Sequence, residues 1–418
     1  MSETFNVCLL YILILLMIIT GSVNSIFNKI LQKLESKGIL FEQHHWVITF
    51  GMFIGESVSI IGYMIVVYKR NQKKILDENK EILTETEDNE NPKKPPVPTN
   101  LIFTLSAMCD LCATTINTFG LTYLTTSMYQ MLRGFELIFV CIWSKVFLGN
   151  HIYRHQGIGL VTLILGLSLV GLNAVLKAEE DKGTAKKPEI GIILMFCSQF
   201  FSSTCYVLQE KFIKQYDVNP FQLVGFEGVS GVTIYTILLV IFQNVNCNKW
   251  PEQLKTGICF GSDDKETKRD WYIEDTLFAF EQMGASIALL LVYIFYIVSI
   301  AMYNIVGINL TKLVSSTARA VVDTVRTVFI WAFFLVIHPV KGTEEHFYWL
   351  QLVGFILLVV GTLIYDEIIE LHFWNLDYYT RTKMAERNKN YKGQLGNDDS
   401  ENTLIPPNSQ TSDYTNTN

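Results

Sequence analysis

Charge is scarce in this chain: 17% of its 418 residues are charged, against 50% hydrophobic. No basic stripe is present, so nucleic acid has no electrostatic footprint here and is excluded as a partner. Histidine is thin too, seven in all, with His44-His45 the one adjacent pair. Membrane hydroxylases and desaturases need several such boxes. The patterns G-x-S-x-G, P-loop and H-E-x-x-H are missing, which removes sequence support for hydrolase, ATP-driven and zinc-peptidase chemistry. The expectation is no enzyme, no cofactor and no metal.

The eight cysteines build no framework. Cys8, Cys109, Cys112, Cys141, Cys197 and Cys205 fall in apolar runs, where a thiol acts as a small hydrophobe. Cys109-x-x-Cys112 has neither a second pair nor a flanking His, so packing is the plainer reading. Cys247 and Cys259 differ, because they share one polar loop. The first apolar run follows Glu3 rather than Lys or Arg and precedes no A-x-A-like site, which argues against a cleaved signal peptide.

What the chain does have is apolar length. Runs of about 20 residues, enough to span a hydrocarbon core as a helix, occupy 5–31, 45–68, 101–122, 127–148, 156–176, 189–213, 220–242, 284–309, 311–337 and 347–366. These predict an all-α polytopic protein of about ten transmembrane helices in a lipid bilayer. Residues 71–99 mix Lys with Glu and then read PKKPPVP, a disordered linker. Residues 177–188 connect two halves, 244–281 form a long polar loop, and 367–418 are a polar tail expected to be disordered.

The halves look alike. Leu121, Thr122, Leu124 and Ser127 recur 189 residues later as Leu310, Thr311, Leu313 and Ser316. Gln156, Gly159 and Gly166 recur as Gln351, Gly354 and Gly361, and Glu56, Val58 and Ser59 as Glu227, Val229 and Ser230. Self-similarity in one order indicates a duplicated unit, 5–176 and 189–366. Five spans per unit turn the second upside down, an inverted repeat of the kind transporters use. An even total puts both termini on one side. Lys69, Arg70, Lys73 and Lys74 after span two favour the cytosol for that side, and the loop 244–281 then faces the lumen. The repeated turn has no Gly or Pro, and its hydroxyls suit helix N-capping. The glycines of spans five and ten, Gly157, Gly159, Gly166, Gly171, Gly354 and Gly361, predict close helix packing or a homodimer contact.

Polar groups inside the spans are the candidate site. Arg319, Asp323 and Arg326 share a helix face at spacings of four and three. They form either a closed Arg–Asp–Arg ladder or a cavity wall in which Asp323 holds arginines that meet an anionic solute. Gln130 and Arg133 lie one turn apart in span four, with Gln130 at the repeat position of Arg319. Asp110, Thr114 and Asn117 make a stripe on span three, and Asp110 is close enough in character to neutralise Arg133. Glu56 and Glu227 are matched carboxylates, either proton-coupling groups or partners of Lys29 and Lys211. Asn24, Gln209, Tyr303 and Asn304 complete the set, with helix-to-helix hydrogen bonds as the alternative role. Cys247 and Cys259 are candidates for a disulfide, and Trp250, Phe260, Trp271 and Tyr272 beside them for an aromatic lid.

With the motifs TGSVNSIFNK, GMFIGE, SMYQMLRG, QEKF, GFEGVSG and STARAVVDTVRTVFIWA, the chain resembles the drug/metabolite transporter superfamily. More narrowly it resembles solute carrier family 35, subfamily F, the nucleotide-sugar-transporter-like carriers. The resemblance implies two inverted EamA-like halves, alternating access and an endomembrane address, lysosome or vacuole before Golgi. The function expected is a secondary carrier or exchanger of a small organic, anionic solute such as a nucleotide sugar. The alternative is a non-transporting scaffold or receptor that retains the fold.

Overall fold

Uninterrupted apolar runs leave the backbone one way to satisfy its N–H and C=O groups in lipid, and the chain forms helices. The structure, a computed structural model, describes residues 2–81, 99–124, 126–150, 153–180, 188–249, 259–262, 269–337 and 348–365, with 95, 97, 367, 369, 378, 380, 383 and 387. The helices are α1 (Ser2–Lys33), α2 (His45–Glu81), α3 (Phe103–Tyr123), α4 (Thr126–Leu132), α5 (Phe135–Leu148) and α6 (Arg154–Glu180). They continue with α7 (Pro188–Gln215), α8 (Pro220–Asn244), α9 (Thr276–Ala285), α10 (Ile287–Leu313), α11 (Ser316–Val336) and α12 (Trp349–Tyr365). Seven of them, α1, α2, α3, α6, α7, α8 and α10, are long and apolar enough to cross a membrane. Their outer faces carry bare apolar side chains such as Leu15, Ile61, Leu165, Val240 and Phe295. This is an integral, multi-pass membrane protein.

Several boundaries depart from the sequence reading. Span four is not one helix but α4 and α5, broken at Arg133 and Gly134. There Gly134 N donates to Met131 O at 3.0 Å and Glu136 N to Arg133 O at 2.9 Å, i to i−3 contacts that tighten the chain. The run read as span eight starts late, because α9 and α10 are separate helices with Ser286 between them, its side chain accepting from Leu289 N. α2 runs past Tyr68 to Glu81, into the segment read as a disordered linker. Lys73 and Lys74 precede Asp77 and Glu78 by four residues, a spacing that favours helix. The remainder of that linker, apart from 95, 97 and 99, and nearly all of the tail lie outside the described residues.

The caps follow from short polar side chains. Ser315 Oγ accepts from Ala318 N at 3.1 Å to start α11. Glu210 of α7 accepts from Ser316 N at 2.7 Å and from the Ser316 hydroxyl, while Lys214 neutralises it from 2.6 Å. The corresponding side chains of the first copy of the turn, 125–127, lie outside the described residues. Glycine sets the closest crossing. A Cβ on Gly159 would stand 2.7 Å from Gly361 O, and one on Gly166 2.6 Å from Gly354 O, so α6 and α12 meet backbone to backbone.

One end of the bundle carries a small cap. The β1–β2 hairpin (Glu35–Ser36 and Ile39–Leu40) is tied to α9, where Gln282 Nε2 donates to Ser36 O and Ile39 O at 2.8 and 3.1 Å. A second hairpin, β3 (Phe260–Ser262) and β4 (Arg269–Tyr272), is bound to the end of α8 by the Cys247–Cys259 disulfide and by Cys247 N donating to Trp271 O. Phe260 and Trp271 are buried, and His44 stacks on Phe260 with its Nδ1 2.5 Å from Glu274 Oε1. Among the described residues of the loop, Cys247, Cys259 and Trp271 pack together, and Phe260 packs against Ile39 and Phe278. Trp250 lies outside the described residues.

Candidate functional site

A cavity of about 90 Å³ lies among α1, α2, α3, α4, α7, α8, α10 and α11. Of the residues singled out from sequence, Asn24, Lys29, Glu56, Asp110, Thr114, Asn117, Arg133, Gln209, Glu227, Tyr303, Asn304, Arg319 and Arg326 line it. Asp323 stands directly behind, joined to Tyr303. Lys211 does not: it is exposed, with its ammonium 6.0 Å from the Phe147 ring. On α7 it sits two residues from Gln209, a separation that turns it to another face. The Gln130 side chain lies outside the described residues.

Arg319 organises one wall. Its Nη1 donates to Gln209 Oε1 at 2.9 Å and its Nη2 to Asn304 Oδ1 at 3.4 Å. Each amide passes the contact on to a carboxylate. Gln209 Nε2 donates to both oxygens of Glu227 at 3.1 and 3.0 Å, and Asn304 Nδ2 donates to Glu56 Oε1. Glu56 and Glu227 are therefore each held by an amide, and Lys211 holds neither. The guanidinium also covers the Tyr206 ring at 3.8 Å, a cation–π contact in a desolvated place. Gly307 makes room for it, since a Cβ there would lie 2.6 Å from Arg319 Nε.

Asp323 organises a second wall, one turn further along α11. Its Oδ2 accepts from Tyr206 and Tyr303 hydroxyls at 2.9 and 2.5 Å, and its Oδ1 is 3.3 Å from Arg326 Nη2. The Arg–Asp–Arg ladder thus closes on one side only: Arg319 turns to amides and a ring, because two buried tyrosines already fill Asp323. Arg326 lies over Tyr303 at 4.7 Å and against Gly21, where a Cβ would come within 2.2 Å of its Nη1. Asp110 accepts from Thr114 at 3.4 Å and forms no ion pair with Arg133 among the described residues. Asn24 donates to Ser299 at 3.3 Å and Asn117 to Tyr129 at 2.6 Å.

Sequence reasoning missed Tyr129, Tyr206, Tyr296, Ser198 and Ser202, all lining the cavity. It also missed Glu136, which is buried and accepts from Ser202 at 2.5 Å. Glu136 had a readable signal, a carboxylate three residues after Arg133 in an apolar run. The tyrosines had none, since an intramembrane Tyr looks like any other aromatic until its neighbours are known.

This site is found in a chain with close relatives. A sequence profile described as solute carrier family 35 matches residues 101–261. The rat protein "Solute carrier family 35 member F6" is 31% identical over 359 residues, covering 84% of this chain and 87% of that one. The human protein of the same name is 30% identical over 358 residues, covering 84% and 87%. An uncharacterized protein of Schizosaccharomyces pombe is 26% identical over 356 residues, covering 85% of this chain and 97% of its own length. On these matches the chain belongs to solute carrier family 35, subfamily F.

Proposed function

We propose that the chain is a secondary carrier or exchanger that moves a small organic solute through the central cavity by alternating access, with no enzymatic step. The observation that carries this reading is a cavity at the centre of the bundle, walled by buried charges. Charges at that depth cost about 2.5–3.5 kcal/mol each on insertion scales and persist where they serve a pathway or a structural pair. An acidic group on the solute, as in a nucleotide sugar or related metabolite, has Arg133 and Arg326 to meet it. Glu56 and Glu227 are the groups through which a proton would be coupled.

The rocking units are two inverted five-helix repeats, 5–176 and 189–366, about ten spans in all. Helix pairing supports this reading. The α3–α7 contact answers α10–α1, α5–α7 answers α11–α1, and α2–α10 answers α8–α3, while α2–α8 and α6–α12 answer themselves. Both termini are then cytosolic, and the disulfide-bearing cap faces the lumen of an endomembrane compartment, lysosome or vacuole before Golgi, where disulfides persist. Thiol labelling of sealed vesicles checks the orientation: Cys247 and Cys259 should be silent from the cytosolic side without reductant, and labelling there overturns it.

Uptake into proteoliposomes of nucleotide sugars, nucleotides, amino acids and organic acids tests the carrier. Saturable uptake of one class is the expected result, with a pH profile that flattens in Glu56→Gln/Glu227→Gln. An unchanged profile removes coupling through these residues. No uptake of any class by folded protein sinks the carrier reading in favour of a scaffold or receptor.

A further inference from the structure

The two walls of the cavity differ in charge. Around Arg319 stand three carboxylates on three helices, Glu56 of α2, Asp110 of α3 and Glu227 of α8. Asp110 and Glu227 both act on Glu56, and Arg319 is the cation that acts on all three. At the other wall, Arg133 and Arg326 face Asp323 and Glu136, two cations against two carboxylates. Lys29 adds a positive charge on α1. Four cations and three carboxylates line the cavity, and all three carboxylates gather at one place, around Arg319. The most buried of the three is Glu56, 2% exposed, with Oε1 taken by Asn304 and Oε2 buried without a hydrogen-bond partner.

Aromatic rings complete that wall. Four tyrosines line the cavity, and two are already occupied: Tyr206 by Arg319 and Tyr303 by Arg326. The other two, Tyr296 and Tyr129, are neighbours of each other, and Tyr296 is a neighbour of Glu56. Carboxylates beside tyrosine rings in a desolvated pocket are the chemistry that recognises an organic ammonium. A bare proton needs the carboxylates and gains nothing from the rings. At the second wall, Arg133 Nε lacks a hydrogen-bond partner, which leaves a donor for an acid group.

We propose that Glu56, Asp110 and Glu227, with Tyr296 and Tyr129, form an ammonium subsite, and that the solute is amphoteric, its cationic group here and its acidic group at Arg133 and Arg326. The proposal rests on the carrier reading for the identity of the cavity and deepens it by naming the class of solute. It replaces a solute that is only an anion with one that carries both signs.

The test uses the full-length purified protein and four probes. These are choline, its uncharged isostere dimethylbutanol, the zwitterion carnitine, and AMP. Binding is read as a saturable rise in melting temperature and as displacement of labelled choline. Choline and carnitine should bind and dimethylbutanol should not. Glu56→Gln and Tyr296→Leu should each weaken choline by about tenfold, the size of a desolvated cation–π contact. The melting temperature of each variant without ligand reports whether it folds, and Glu227→Gln and Tyr129→Leu stand in for one that does not. Dimethylbutanol binding as well as choline overturns the subsite. So does stabilisation by AMP alone, or folded variants that bind choline like the native protein. Counterflow in proteoliposomes separates the two claims. Choline binding without flux of any probe keeps the subsite and sinks the carrier. Flux of AMP that choline and carnitine leave untouched keeps the carrier and sinks the subsite.

Discussion

α5 begins at Phe135 after a break that leaves Arg133 outside regular helix, whereas α11 carries Arg319, Asp323 and Arg326 through 21 unbroken residues. Both follow the same repeated turn, and at the repeat spacing Gly134 stands where Asp323 does. In α11 the charges are tied down on the spot, by two tyrosine hydroxyls, an ion pair and two amides. A continuous helix can hold charge at membrane depth where neighbouring helices supply partners for its head groups. In α4–α5 the backbone itself gives way, and glycine supplies the weak point. Broken helices beside a cavity are where carriers move. The expectation from this comparison is rigidity along α11 and movement at the α4–α5 break.

The strongest way to break it is Asp323→Ala. The change leaves Arg326 without its buried partner and two tyrosine hydroxyls without an acceptor, which costs about 3–5 kcal/mol. Arg133→Ala, on the broken side, should cost clearly less. Thermal unfolding of the two proteins in one detergent compares them, and equal losses would remove the distinction. Gly307→Val comes next. Arg319 fills the space a side chain would need, and it cannot withdraw without leaving Gln209, Asn304 and the Tyr206 ring. Overpacking of this kind costs about 1–3 kcal/mol, read as a lower melting temperature with uptake lost in parallel. The smallest effect on stability belongs to Gly134→Ala. Its Cβ would meet Leu167 and Leu358 at 3.0 and 3.2 Å, tight but yielding contacts. The substitution also gains helix propensity of up to about 1 kcal/mol, so the melting temperature should barely move. Transport should slow all the same, since the break is stiffened. A variant that transports at the native rate would show that the hinge lies elsewhere.

The sequence by itself determined the membrane class, the repeated turn and most of the polar residues that meet in the cavity. Spans are legible because lipid forbids unsatisfied backbone, and a charge inside a span stands out against its apolar neighbours. The glycine register of Gly159 and Gly166 against Gly354 and Gly361 was visible for the same reason, as a spacing along one helix face. Which charge meets which partner was not visible. Arg319 and Asp323 are one turn apart and look like a pair, yet each is claimed by side chains distant in sequence: Gln209 and Tyr206 on α7, Tyr303 and Asn304 on α10. Lys211 was a candidate partner of the matched carboxylates and faces away. The break at Gly134 and the packed cap around Cys247 and Cys259 were hidden as well. Hydropathy reports the depth of a residue in the membrane, but pairing, hinge and cap depend on which helices touch. Only the tertiary structure decided that, because the partners of a buried polar group are chosen by contact in space and not by spacing along the chain.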